Sequence, residues 1–337
     1  MKAFRVAVIG CGAISGNHIN GILAAGNQIC ALCDVLPERA EERIAKYGLG
    51  EVPIYTDYVE MLEKEKPDSV HICTPHYLHA PMCVEALQRN INVLCEKPLS
   101  INMDQLHAVL EAEKASNAQL GVCHQNRFEK NMIWLADFIG EHGIKSGVGF
   151  VSWARDEAYY RSGAWRGTIL EEGGGVMINQ ALHTLDLLQM ICGMPTHLIS
   201  HISNDYHKDC IEVEDTAVAH FELADGVRYH FYATNNATAD LPVQLQFVTK
   251  DNKQVIATNN FITVDGELIS VADTAQTANH MVGKAVWGTG HALLIADFYR
   301  SVEEGTPFRI PGSEGAKVIQ LILSMYHSHG NRIKTMA

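Results

Sequence analysis

Phe4-Arg5-Val6-Ala7-Val8-Ile9-Gly10-Cys11-Gly12-Ala13-Ile14-Ser15 is an apolar run broken by two glycines one residue apart. The run reads as a buried strand, and residues 13–25 read as the helix that follows it. A strand, a glycine turn and a helix in that order form a dinucleotide-binding corner. Gly10 allows the tight turn, and Gly12 lets a pyrophosphate approach the amides at the helix N-terminus. Ala13 and Ile14 complete that turn. The third position of the fingerprint is Ser15 rather than Gly or Ala, with Gly16 directly after it. Asp34 ends the next apolar run, Gln28-Ile29-Cys30-Ala31-Leu32-Cys33, where a carboxylate accepts hydrogen bonds from the adenosine ribose diol. It also repels a 2′-phosphate, and neither Val35 nor Leu36 offers a guanidinium. NAD is therefore expected in preference to NADP, with Arg39 as the residue that keeps NADP open.

Working outward, strand and helix signals alternate. Pro37-Glu38-Arg39-Ala40 opens a helix with proline in its first turn, and residues 58–64 form another. Ser69-Val70-His71-Ile72-Cys73 reads as a buried strand, residues 79–88 as a helix, and Ile91-Asn92-Val93-Leu94-Cys95 as a strand. A helix over 106–115 and a strand over 119–123 follow. This alternation predicts an α/β fold with a doubly wound parallel sheet of the Rossmann type over residues 1–123. From about His124 the pattern changes. Helices over 131–141 and 176–192 accompany strand-like runs at 147–154, 198–203, 217–223, 227–234, 243–248 and 254–257, with Asp225-Gly226 as a hairpin signal. Residues 124–312 are thus expected to form an α+β domain with a mostly antiparallel, open sheet. Helices over 291–303 and 315–328 close the chain, the segment 313–337 packing back near the first domain.

Composition narrows the function classes. The 337 residues carry 26 Lys plus Arg against 39 Asp plus Glu, a formal charge of -13. That balance disfavours binding to nucleic acid or to anionic membrane surfaces. No apolar run approaches the ~20 residues of a membrane helix. The nine cysteines form no disulfide framework, and Cys30 and Cys33 read as small core residues of a strand. Val8-Ile9-Gly10-Cys11 imitates a lipoprotein cleavage box, but the segment before it is too short for a secretory signal. A cytoplasmic location is expected.

Glu96-Lys97-Pro98 ends a buried strand at the edge where open α/β sheets bind ligands, so Lys97 is placed to touch a substrate. Together with Gly10-Cys11-Gly12-Ala13-Ile14 and His18, Thr74-Pro75-His76-Tyr77-Leu78-His79, and Gly173-Gly174-Gly175 followed by His183 and Asp186, it resembles the Gfo/Idh/MocA family of oxidoreductases. The resemblance implies NAD(P)-linked oxidation or reduction of sugars and cyclitols, and an open sheet used for assembly into a homodimer or homotetramer. It implies that Lys97 contacts the reacting hydroxyl and that Glu96 touches the nicotinamide-side ribose. It also implies cofactor contacts from Thr74, Pro75, His76, His79 and Asn126, the last in the segment opening the second domain.

His183 is the better general base, because imidazole titrates nearest neutrality. Asn179 lies four residues earlier, and the helix expected there would set both on one face. Many members of the family carry aspartate at the position of Asn179; a neutral amide can orient a ring or a substrate but adds no charge. Tyr160, Trp165 and Arg166, with their neighbours Tyr159 and Arg161, suit a sugar ring, a carboxylate or a phosphate. No histidine spacing is diagnostic of a metal, and none is expected. Three functions remain open: an NAD-dependent dehydrogenase acting on a secondary alcohol of a sugar, glycoside, nucleotide sugar or cyclitol; a redox-neutral glycosidase that oxidises a ring carbon transiently; and a nucleotide-sensing regulator.

Overall fold

The computed structural model describes residues 3–258, 260–271 and 290–336. They form two compact units: residues 3–100, 104–128 and 290–315 in the first, and 101–103, 129–258, 260–271 and 316–336 in the second.

In the first unit, strands β1 (Arg5–Ile9), β2 (Gln28–Cys33), β3 (Ile54–Tyr55), β4 (Ser69–Ile72), β5 (Asn92–Cys95) and β6 (Leu120–Val122) alternate with helices. These are α1 (Ser15–Ala24), α2 (Pro37–Tyr47), α3 (Tyr58–Glu65), α4 (His79–Gln88) and α5 (Met103–Ala115). The sheet order is β3-β2-β1-β4-β5-β6, with every pairing parallel. All four residues of β4 are buried, as are the last four of β1, because helices cover both faces of such a sheet. The strand order reverses between β1 and β4, and that switch point is where the glycine turn lies. Gly10 is obligatory there: its φ is +89°, and a Cβ would stand 2.6 Å from the Cys73 carbonyl oxygen. The two-residue β3 gave no periodic signal and was not expected.

The second unit begins with α6 (Lys130–His142), β7 (Ile144–Ser152), α7 (Glu157–Arg161) and α8 (Leu182–Cys192). Strands β8 (His197–Ser203), β9 (Thr216–Glu222), β10 (Arg228–Thr234), β11 (Gln244–Thr249), β12 (Gln254–Ala257), β13 (Phe261–Val264) and β14 (Glu267–Val271) follow. The chain then supplies α9 (Gly290–Glu304) to the first unit, α10 (Gly312–Ser328), which starts in the first unit and continues into the second, and β15 (Ile333–Lys334). The nine-stranded sheet has the order β14-β13-β12-β11-β7-β10-β9-β8-β15. It is antiparallel except where β10 runs parallel to β7. Burial alternates along β8 to β11, so one face packs on the core and the other stays open. Val218, on the open face, is 46% exposed.

Three expectations need correction. The expected linear boundaries fail, because residues 290–315 belong to the first unit and 316–336 to the second. The last helix is divided: Gly312 N–H donates to Glu113 Oε1 at 2.8 Å in the first unit, whereas Ser200 Oγ donates to the Met325 carbonyl at 2.5 Å in the second, so only its start, not the whole segment 313–337, belongs to the first domain. The helix expected from residue 176 starts only at Leu182. Residues 176–181 are turns, held by Val176 N–H to the Glu214 carbonyl and Ala181 N–H to the Val176 carbonyl. Asn179 and His183 therefore do not share a regular helix face.

Candidate active site

The glycine turn after β1 is built to leave amides open. Its carbonyls are consumed internally: Ser15 Oγ and Arg43 Nη2 donate to the Gly12 carbonyl at 2.7 and 3.0 Å, and Arg43 Nε donates to that of Cys11. The N–H groups of Gly12, Ala13 and Ile14 donate to no described residue, and a Cβ on Gly12 would meet nothing within 4 Å. Open space beside unpaired amides at a helix start fits a pyrophosphate. Ser15 explains its own departure from the fingerprint, since its buried hydroxyl closes the turn. Asp34 is buried at the end of β2, and its carboxylate accepts from Cys11 N–H (2.8 Å) and Leu36 N–H (3.0 Å). Arg39, half exposed, stands 3.8 Å from it. Arg43 carried no motif and was missed by sequence reasoning.

Beyond β4, Thr74 and Pro75 lead into a 3-10 turn, His76–Leu78. His76 is buried against the ring of His79. His79 places Nε2 2.8 Å from the Thr74 carbonyl and Nδ1 2.6 Å from that of Pro98, so the neutral ring donates to one of the two carbonyls and packs between the loops after β4 and β5. Neither ring nitrogen is left for a cofactor, which corrects its expected role to that of a strut. Asn126 is half-buried in the 3-10 turn Gln125–Phe128.

Glu96 and Lys97 follow β5. Lys97 is half-buried, and its peptide bond to Pro98 is cis. The Glu96 carboxylate points into the unit. Its Oε1 is 2.9 Å from His18 Nε2 and 3.0 Å from His291 Nε2, while Oε2 accepts the Lys97 N–H at 3.2 Å. The chain of contacts continues inward: His18 Nδ1 to His71 Nδ1 at 2.8 Å, and His71 Nε2 to Tyr299 Oη at 2.8 Å. Two proton orders satisfy this line. In the first, Tyr299 donates to His71, His71 to His18, and His18 to a Glu96 carboxylate, with every ring neutral. The second runs in reverse and needs one more proton, on His18 or on Glu96. Burial selects the first, since it pushes His18 down and His71 well below the ordinary 6.5. Burial alone would raise the Glu96 carboxyl, yet the hydrogen bonds from His18 and His291 hold it well below the carboxylate range. The three facing atoms of His18, Glu96 and His291 lie within 4.8 Å of one another. Both imidazoles converge on one oxygen at hydrogen-bond distance, which is proton-sharing geometry rather than a ligand shell around a centre.

This burial has a pH consequence. His18, His71 and His79 are all depressed, chiefly by burial, so the unfolded chain binds their protons first as pH falls below 6.5. Each removes up to about 1.4 kcal/mol of stability per pH unit in that window. Glu214, pushed up to about 7 by burial, works in the opposite sense: the folded state takes its proton first, offsetting one histidine. The net expectation is that stability falls as the pH drops below about 6.5, by at most about 3 kcal/mol per pH unit. Thermal midpoints at pH 7.5, 6.5 and 5.5 check it, and a level profile would contradict the neutral rings.

In the second unit, Gly173-Gly174-Gly175 is clamped by Glu214. Its carboxylate accepts from Gly175 N–H (3.0 Å), Met177 N–H (3.0 Å) and Tyr326 Oη (2.8 Å). This turn delivers Asn179 and then α8, where His183 is the second residue and half-buried. Asn179 Nδ2 donates to buried Glu172 and to Tyr159 Oη (3.3 Å). Glu172 accounts for the asparagine, because aspartate there would press two carboxylates together. Tyr159, which the sequence grouped only as a neighbour of Tyr160, is the hub: its oxygen also meets Arg166 Nη1 at 2.6 Å and Gln180 Nε2 at 2.9 Å. Arg166 stacks on Tyr159 (4.5 Å) and on Trp165 (4.6 Å). Tyr160 is corrected to a core residue, 4% exposed beside Ile211 and Val213, its hydroxyl meeting Asn235 Nδ2 at 2.9 Å. Asp186 is buried in α8 and accepts from Gln189. Among the described residues no helix is long and apolar enough to cross a membrane.

Comparison with known proteins gives the family of the chain. Residues 4–124 match the model of an oxidoreductase family with an NAD-binding Rossmann fold, and residues 143–254 match the GFO/IDH/MocA C-terminal domain. Inositol 2-dehydrogenase of Salmonella typhimurium is 28% identical over 144 residues, which span 41% of this chain and 43% of that protein. The chain thus aligns with less than half the length of that relative. D-glucoside 3-dehydrogenase of Escherichia coli is 24% identical over 90% of this chain and 96% of its own length. Among solved structures, the WlbA dehydrogenase of Bordetella pertussis in complex with NADH and UDP-GlcNAcA superposes with a TM-score of 0.85 at 24% identity, covering all of both chains. Levoglucosan dehydrogenase in complex with NADH and levoglucosan gives 0.86 at 18% identity, again over all of both chains. At these identities the two structures establish the fold alone.

Proposed function

The chain belongs to the Gfo/Idh/MocA family of oxidoreductases, and from that premise we propose that it transfers a hydride between NAD and a secondary alcohol of a sugar, glycoside, nucleotide sugar or cyclitol. The observation that carries this reading is the placement of Lys97. It is a half-buried lysine directly after β5, on the sheet edge that also bears the open amides of the glycine turn. NAD bound there would supply the hydride acceptor of the oxidation. Gly12, Ala13 and Ile14 would hold its pyrophosphate and Asp34 its adenosine ribose.

Lys97 orients the substrate hydroxyl and stabilises the alkoxide as it forms, a role a protonated lysine fills without any shift of its titration. His183 accepts the hydroxyl proton. It lies in the first turn of α8, half-buried, and imidazole is the side chain best suited to a proton transfer near neutral pH. Asn179, its amide held by Glu172 and Tyr159, adds no charge to the site. Trp165 and Arg166 form the remainder of the substrate surface. Assembly with further copies through the open face of the nine-stranded sheet belongs to the same proposal.

The test is NADH absorbance while the protein and NAD meet a panel of sugars, glycosides, nucleotide sugars and cyclitols. A substrate-dependent rise at 1:1 stoichiometry with oxidised product is expected. Release of an aglycone with no net NADH would replace the dehydrogenase by the redox-neutral glycosidase.

A further inference from the structure

Glu96 has a property that the proposed reaction does not use. Its carboxylate is 5% exposed, and the groups that hydrogen-bond to it are the Lys97 amide and the imidazoles of His18 and His291. His18 is itself hydrogen-bonded to His71, and His71 to Tyr299. In the proton order assigned above, the line from Glu96 through His18 and His71 to Tyr299 carries one net negative charge, seated on the carboxylate. A buried charge of this kind acts over a longer range than a surface charge, because little water screens it.

Its position gives that charge a target. β5 lies on the far side of the switch point from β2 and β3, and in a doubly wound sheet the second mononucleotide of a dinucleotide binds along that half. The nicotinamide ring carries a positive charge when oxidised and none when reduced. We propose that Glu96 is a redox-state selector, a buried anion that tightens binding of the oxidised cofactor relative to the reduced one. Lys97, the neighbouring cation, is only half-buried and so acts in part through solvent. The selection biases the bound cofactor towards NAD+, and so lowers the tendency of bound NAD+ to take up hydride relative to a site without the anion. The inference rests on NAD being the cofactor of this chain.

The line of histidines also makes the anion removable. In Glu96→Gln the amide nitrogen can turn towards His18 and His291 while the amide oxygen keeps the Lys97 N–H. The line accommodates this by reversing its protons, so that His18 donates to His71 and His71 to Tyr299. The charge disappears with little change in shape.

The experiment compares dissociation constants of NAD+, NADH and ADP-ribose for the wild-type chain and Glu96→Gln, by calorimetry and by the fluorescence of bound NADH, with no substrate present. The expected result is weaker NAD+ binding by roughly tenfold, the scale of one unit charge acting over about 10 Å at an effective dielectric near 20. NADH and ADP-ribose should stay within about twofold. A ratio of NAD+ to NADH affinity that moves less than twofold overturns the proposal while leaving the dehydrogenase reading intact. If the wild type binds neither form of the cofactor, the premise falls and the proposal with it. Should Glu96→Gln not fold, Glu96→Leu combined with His18→Leu and His291→Leu removes the charge and both imidazole partners together and carries the same comparison.

Discussion

Lys97→Ala is expected to lower kcat by roughly a thousandfold while NAD affinity stays within about threefold. The lysine follows β5, whereas the amides that would hold the pyrophosphate belong to the turn after β1, so truncation leaves the cofactor cradle intact. The loss falls on kcat rather than KM because the ammonium stabilises charge that appears only as the hydroxyl gives up its proton. His183→Ala should cost a similar factor, within the roughly 10²–10⁴ range of a positioned base. The double variant should be little worse than the poorer single one, because two groups acting on one proton transfer are not additive. Steady-state kinetics with the substrate found in the panel, alongside NAD titration, check all three. A Lys97→Ala enzyme within tenfold of wild type would remove the lysine from the chemistry.

Gly175→Ala is expected to be the most damaging single substitution for the fold. A Cβ there would stand 1.8 Å from the Glu214 carbonyl oxygen and 2.9 Å from its carbonyl carbon, so backbone rather than a side-chain end is in the way. Relief requires the turn to move, which breaks the Gly175 and Met177 amide bonds to a carboxylate that burial already makes costly. Overpacking and an unsatisfied buried acceptor together amount to about 3 kcal/mol or more, a fall of several degrees in thermal midpoint. Any folded fraction should also lose activity, because the same turn delivers Asn179 and His183. Gly140→Ala is the matched control. Gly140 is exposed inside α6, and a Cβ there would meet nothing within 4 Å. It should stabilise by about 0.5–1 kcal/mol. Equal effects at the two sites would refute the close-approach explanation.

The second domain shows why some residues were legible and others were not. Glu214 and Tyr326 brace the triple glycine from 39 and more positions away in sequence, and no local pattern announces such a contact. The 176–192 segment is apolar enough to read as one helix. The Val176 and Met177 amides go instead to Glu214, which holds the chain in turns until Leu182. Tyr159 and Tyr160 are adjacent and chemically alike, so sequence could not rank them. Packing sends Tyr160 into a core with Ile211 and Val213, and Tyr159 to Asn179 and Arg166.

The sequence by itself determined the parallel sheet, the glycine turn, Asp34 at the end of β2 and Lys97 at the end of β5. Each depends on short-range features: the apolar run of a buried strand, a backbone that only glycine tolerates, and an ionisable residue at a strand's end. Only the tertiary structure decided which groups Glu96 meets. Its two imidazole partners come from α1 and α9, 78 and 195 residues away, and their hydrogen bonds hold its carboxyl well below the carboxylate range. Long-range hydrogen bonds and desolvation depend on which distant side chains share a volume. That is set when the chain packs, and it leaves no periodicity in the sequence.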